Sequence, residues 1–211
     1  MESVRKGKGL SPEQEALMRE NNVPEWYIES CKKIKYMFPK AHATAYVMMA
    51  FRIAYYKVNY PKEFYATYFT VRADEFDAVI MTGEHENIIK NLDEYTNLEN
   101  PSAKEKNVIT ILEMCNEMYA RGLKFTKIDL YKSHATKFIP TEEGILPPLS
   151  ALPGLGANAA KSVAEAREDG EFFSIEDLRE RSKVSKTVIA LLKEQHCLDG
   201  IPETDQITMD I

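Results

Sequence analysis

Apolar side chains recur at helical spacing along most of this chain, and proline, glycine and asparagine mark the breaks between the runs. Ser11 before Pro12 predicts an N-cap and a first helical residue, opening a helix that Asn21-Asn22-Val23-Pro24 closes after about Glu20. Residues 25–37 continue the pattern, with Trp26, Ile28 and Ile34 available for a core and Lys32, Lys33 and Lys35 toward solvent. From residue 43 to 59 the chain is apolar nearly all round (Val47, Met48, Met49, Phe51, Ile53, Tyr55, Tyr56), which predicts a helix at the centre of a small domain. Pro61 stops it, and residues 63–71 resume as an aromatic-rich helix. Residues 75–99 read as helical and acidic. After a loop at Asn100-Pro101-Ser102, residues 103–121 bury Val108, Ile111, Leu112, Cys115 and Met118 at spacings of three and four, with Gly122 as the stop.

The pattern then changes. Residues 127–131 and 136–139 are short β-prone pieces among turn residues, and Pro147-Pro148 closes that stretch. Residues 149–202 return to helices, and the fold class is mainly α with one small β-containing element.

The run Leu152-Pro153-Gly154-Leu155-Gly156, with Ala160 and Val163 beyond it, has the form of a helix-hairpin-helix turn. Pro153 fixes φ and ends the preceding helix. The two glycines are expected to supply φ > 0 and a backbone bare enough for a phosphate oxygen to reach amide N–H groups. A helix from about Ala157 would aim its N-terminus at that phosphate, and Ala160 and Val163 would face the packed side. Gly154, Leu155, Gly156, Ala157, Asn158 and Lys161 are the candidate duplex-binding residues. Contacts of this kind hold DNA without selecting a sequence. An ordinary Pro-Gly turn between two helices is the alternative. Leu178, Val184, Val188, Ile189, Leu191 and Leu192 outline a second, degenerate hairpin that lacks the glycines.

Charge qualifies the DNA reading. The net −6 of the 211 residues divides into +5 for residues 1–62, with eleven Lys/Arg against six Glu, and −11 for residues 63–211, with sixteen against twenty-seven. The basic third is therefore the electrostatic footprint, while the acidic remainder needs uncharged amide donors. No apolar run approaches the roughly 18 residues of a membrane helix. The charged start from Glu2 to Lys8 has no secretion signal, so the protein is expected to be cytoplasmic. Cys31, Cys115 and Cys197 are odd in number and far apart, which argues against a disulfide framework or a zinc knuckle.

Several segments together resemble a known family. Val4-Arg5-Lys6-Gly7-Lys8-Gly9-Leu10, Asn22-Val23-Pro24-Glu25-Trp26-Tyr27-Ile28 and Phe38-Pro39-Lys40-Ala41-His42-Ala43-Thr44-Ala45-Tyr46 are similar to the fingers region of bacterial C-family replicative DNA polymerases. Ile128-Asp129-Leu130-Tyr131-Lys132-Ser133, Leu146-Pro147-Pro148 and Pro153-Gly154-Leu155-Gly156, in this order, narrow the resemblance to the PolC type, the polymerase III α chain of low-GC Gram-positive bacteria. It covers essentially the whole chain.

The resemblance implies four regions: a helical fingers portion (1–122), a β-containing linker element (123–148), a tandem helix-hairpin-helix domain (149–202) and an extended clamp-binding tail (203–211). It implies that Arg5, Lys6, Lys8 and Lys40 lie near nucleotide or template phosphates, with His42 beside them as a donor. A solvated charged face and a local helix cap are the competing roles for these groups. The aromatics at Tyr46, Phe51, Tyr55 and Tyr56 could stack on a base but at helical spacing are core candidates, as is Trp26. In the tail, Gln206, Met209 and Ile211 would anchor on the sliding clamp, with methionine and isoleucine where the family has leucine and phenylalanine.

The implied partners are DNA, a deoxynucleoside triphosphate in the full polymerase and the clamp, with no membrane. Two-metal phosphoryl transfer needs close carboxylates, and the chain has no Asp-x-Asp pair. No catalytic residue, metal ligand or cofactor is therefore expected within it. Mg2+ would come only with the palm domain, and this stretch alone should be inactive. Met1 would correspond to an internal residue of a longer polymerase. The alternative function is a free-standing helix-hairpin-helix DNA-binding accessory module, which would have no use for the constellation from Phe38 to Tyr46.

Overall fold

The computed structural model describes residues 2–37 and 39–204, so the tail candidates Gln206, Met209 and Ile211, like Phe38, lie outside the described residues. By its internal contacts the chain forms two compact units, Met1–Tyr55 and Tyr56–Ile211.

The first unit begins with α1 (Glu2–Arg5), α2 (Pro12–Glu20) and α3 (Glu25–Lys33). The start of α2 follows from its sequence. Ser11 Oγ accepts the Gln14 amide while the Gln14 side chain accepts the Ser11 amide, a reciprocal capping box with Pro12 at the first helical position. Arg19 bridges Glu15 and Glu25, and Lys32 bridges Glu15 and Glu29, tying α2 to α3. Helix α3 stops at Lys33, short of the expected Met37, because Ile34 turns to extended backbone. Ile28 and Cys31 are buried on it, but Trp26 is 71% exposed and is not the core anchor the sequence suggested.

The larger correction concerns α4 (Lys40–Asn59), which carries the chain from one unit into the next. None of its residues is buried, and Tyr46 (68% exposed), Phe51 (73%) and Val58 (71%) stand in solvent. Apolarity nearly all round foretold a central helix, yet every residue of α4 is exposed or half-buried.

The second unit is built on α5 (Pro61–Val71), α6 (Ala78–Met81), α7 (His85–Thr96) and α8 (Ala103–Ala120). The stretch expected to be one acidic helical run is divided here. A short 3-10 turn at Ala73–Glu75 precedes α6, Asp77 caps α6 by accepting the Val79 amide, and Gly83 at φ +98° separates α6 from α7. Helix α8 buries the five expected residues Val108, Ile111, Leu112, Cys115 and Met118, is closed at its start by the Ser102–Glu105 capping box, and ends at Gly122 with φ +78°. Tyr65 and Phe69 of α5 are fully buried, and Phe69 meets Phe76, Phe125 and Phe138 with ring centroids 5.0–5.6 Å apart.

The β element lies later than its expected positions. β1 (Ile139–Pro140) pairs antiparallel with β2 (Ile145–Leu146), and Phe125 makes an isolated bridge to Ile145. Residues 127–131 do not extend into a strand because Asp129 competes for the backbone: its carboxylate accepts the Tyr131 and Lys132 amides at 2.8 and 2.9 Å. Residues 136–138 turn likewise around His134, whose Nδ1 accepts the Thr136 and Lys137 amides, both at 3.0 Å.

The C-terminal helices are α9 (Ala157–Ala166), α10 (Ile175–Ser182) and α11 (Lys186–Glu194), preceded by a 3-10 turn at Leu149–Ala151. The core runs unbroken from the α5–α8 region into these helices through Leu149, Leu152, Leu155, Ala160, Val163, Leu178 and Leu192. Arg181 fastens α10 to the end of α9 and the loop after it. Its guanidinium donates to the carbonyls of Ala166, Gly170 and Glu171, pairs with Asp177 at 3.1 Å, and lies 4.6 Å from the Phe172 ring centre.

Candidate nucleic-acid interface

The turn at Pro153-Gly154-Leu155-Gly156 is closed by the Leu155 amide donating to the Leu152 carbonyl at 3.0 Å, and the Leu155 side chain plugs the core. Only one of its glycines has the expected conformation. Gly154 sits at φ +91°, where a Cβ would be strained, although the nearest atom to that Cβ would be Leu191 Cδ2 at 3.8 Å. Gly156 sits at φ −61°, ψ 154°, which any residue adopts, and a Cβ there would meet nothing within 4 Å. The second glycine is therefore not needed for the fold. It leaves open space at the start of α9.

Gly156 is the N-cap of α9, and no side chain caps that helix; its first turn carries no acidic residue. The Gly156 carbonyl accepts the Ala160 amide at 3.0 Å, so the helix is properly started while its leading N–H groups have no intrahelical acceptor and no side-chain cap. Gly154, Gly156, Asn158 and Lys161 are exposed and Ala157 is half-buried. Ala160 and Val163 are fully buried, as close packing of α9 requires. All the candidate duplex-binding residues but Leu155, whose side chain is buried, thus share one exposed corner: amide donors with positive partial charge from the helix dipole, a small neutral surface, and one lysine a turn away.

The other candidates lie in the first unit. The Met37 amide donates to the Arg5 carbonyl at 3.0 Å, and Gly7 lies so close to the Lys35 backbone that a Cβ would overlap its carbonyl oxygen. Residues 5–8 therefore run beside residues 35–37, just before the first turn of α4, where Lys40 and His42 stand exposed. Arg5 and Lys6 both pair with Glu2, at 2.8 and 3.1 Å, and those two cations hold the Glu2 carboxyl down at about 2. The His42 ring meets Tyr46 edge-on at 4.5 Å. Sequence reasoning missed Arg181. Its signal was an arginine four residues after Asp177, the i,i+4 spacing of a helical ion pair.

Similarity to known proteins agrees with this geometry. Residues 122–206 match the helix-hairpin-helix motif family. Over 210 residues the chain is 63% identical to a DNA polymerase III PolC-type of Clostridium perfringens, taking in 99% of this chain and 14% of that protein. The PolC-type polymerase of Caldanaerobacter subterraneus subsp. tengcongensis is 57% identical over 212 residues, and that of Bacillus subtilis 53% over 211, each match covering 99% of this chain and 15% of the relative. The alignments run through the basic first third as well as the hairpins, and the chain spans about 14–15% of the length of these relatives. Over nearly its whole length the chain is thus similar to one stretch of the PolC-type DNA polymerase III chains.

Proposed function

We propose that this stretch is the fingers and duplex-binding portion of a cytoplasmic replicative DNA polymerase, and that the corner at Gly156 grips a phosphodiester of the product duplex. The observation that carries the reading is the uncapped, acid-free first turn of α9 behind a glycine whose own φ does not require glycine. Amides held in that way favour an oxyanion and ignore base identity.

On the same reading Arg5, Lys6, Lys8, Lys40 and His42 face a triphosphate or template phosphates. Their support is the juxtaposition of residues 5–8 with the segment leading into α4. Gln206, Met209 and Ile211 dock on a sliding clamp, a role that rests on their resemblance to a terminal clamp-binding peptide. The Mg2+ of polymerase chemistry would come with the palm domain of the full polymerase. Helix α4 supports the reading from another direction. A helix apolar on all sides needs cover, no helix among the described residues is long and apolar enough to cross a membrane, and the matched relatives extend far beyond this stretch. The remainder of a polymerase chain is the cover we propose.

The test is duplex binding by the Gly156→Val chain. Valine fits the local φ and ψ but is a poorer N-cap than glycine, so the melting temperature is expected to fall by a few degrees at most, while affinity falls about tenfold or more, equally for unrelated duplex sequences. Unchanged affinity, or a loss confined to one sequence, would remove phosphate gripping at this corner.

A further inference from the structure

Beyond α11 the chain returns to lie across the start of α10. The Pro202 carbonyl accepts the Ile175 amide at 2.8 Å and the Glu203 carbonyl accepts the Glu176 amide at 3.2 Å, so two leading donors of α10 are met by the chain itself. The Glu203 carboxylate takes Lys193 of α11 through both oxygens, at 2.7 and 2.8 Å. Residues 202–203 are thereby tied to both helices, and Thr204 is delivered to the rim of an open cavity of 380 Å³ between them. Ile175, Ile189 and Ala190 supply the apolar part of its lining. Arg179 and Lys186 stand exposed in the rest, with no ion pair among the described residues, while Glu176 is the acidic group of the lining that Lys193 does not neutralise. Three cations against two carboxylates leave the lining one charge positive.

The sequence that follows Thr204 has the complementary pattern. Asp205-Gln206-Ile207-Thr208-Met209-Asp210-Ile211 carries two carboxylates and no cation, and its apolar residues fall at every second position. In an extended segment that alternation puts Ile207, Met209 and Ile211 on one side and Gln206, Thr208 and Asp210 on the other. Seven residues reach up to about 25 Å, well beyond the width of such a cavity. Apolar side chains meet apolar lining, and an acidic segment meets a positive rim.

We propose that the cavity between α10 and α11 is an intramolecular dock for residues 205–211, which holds the clamp-binding tail on its own protein until a clamp displaces it. The inference rests on the proposed clamp role of Gln206, Met209 and Ile211 and adds its regulation. The tether selects this occupant: a segment joined to the rim at Thr204 is presented to the cavity at an effective concentration on the order of millimolar, so that even weak contacts hold a share of the tails in place. The same apolar side chains cannot lie against Ile175 and Ile189 and fill a pocket on the clamp at once. Docking therefore weakens the apparent affinity for the clamp in proportion to the share of tails that is held.

The test is methyl NMR of the 211-residue chain, which reads docking without a clamp. In the triple variant Ile207→Ser, Met209→Ser, Ile211→Ser the signals of Ile175, Ile189 and Ala190 are expected to move, although all three lie far from the altered positions in sequence. Unmoved signals would overturn the dock, whatever the clamp does. A difference that grows with protein concentration would put the tail on a second copy and overturn the intramolecular contact. Ala190→Glu is the second arm. Ala190 is exposed on α11 and glutamate is a good helix former, so the fold is expected to hold while the new carboxylate takes up Arg179 and Lys186. The clamp affinity of this variant is expected to rise about threefold as tails are released. Unchanged clamp affinity would overturn the competition. If the methyl signals move but neither the wild type nor Ala190→Glu binds a clamp, the dock stands and the clamp role of the tail falls.

Discussion

Gly154 and Gly156 look alike in the sequence and do different things in the fold. The first is held at φ +91°, and the second has ordinary backbone beside open space. A Pro-Gly-x-Gly run announces a tight turn because those residues act on the backbone directly, but it does not say which glycine the turn needs and which the ligand needs. His134 was less legible still. Its Nδ1 accepts two backbone amides, a role that requires the neutral ring, and burial, then Lys137 and Arg167, lowers its pKa below the ordinary histidine value. The unfolded chain then binds the proton more readily than the folded one. The stability His134 contributes is full above about pH 6.5 and is lost as the pH falls through the lowered folded value. His134→Asn keeps a side-chain acceptor without the titration. Its melting temperature is expected to fall less than that of the wild type between pH 7 and pH 5, and parallel curves would refute the role given to His134.

At the scale of elements, the helices whose ends are written in capping residues were the most legible. Ser11-Pro12 and Ser102 with Glu105 open α2 and α8 where expected, and Gly122 closes α8. The β-prone pieces were not, because Asp129 and His134 take the backbone donors a strand would have used. Helix α4 shows a different limit: periodicity reports that a helix is apolar on every side but not which part of a longer chain covers it. The packing of α9 against α10 depends on Arg181, which gathers three carbonyls and Asp177 in one fork. Arg181→Ala is expected to cost about 2–3 kcal/mol in denaturant unfolding, and Arg181→Lys nearly as much, because an ammonium cannot serve those directions together. A loss below about 0.5 kcal/mol would show that the hydrophobic contacts of α9 and α10 suffice without it.

For the whole molecule, the division of charge and the two hairpins pose one problem on the proposed reading: an acidic body that would have to stay on a polyanion. Composition alone argued against DNA, and only the separation into a basic third and an acidic remainder restored the reading. The match to PolC-type chains extends over both parts. The most direct measurement sets stability against binding in one variant, Gly156→Asp. Aspartate is a better N-cap than glycine and suits the positive end of α9, so thermal stability is expected to rise by a few tenths to about 1 kcal/mol. The same carboxylate would occupy the place of the phosphate, so duplex affinity is expected to fall about tenfold or more at every salt concentration. A Gly156→Asp chain that is stabilised yet binds duplex DNA as the wild type does would contradict the account.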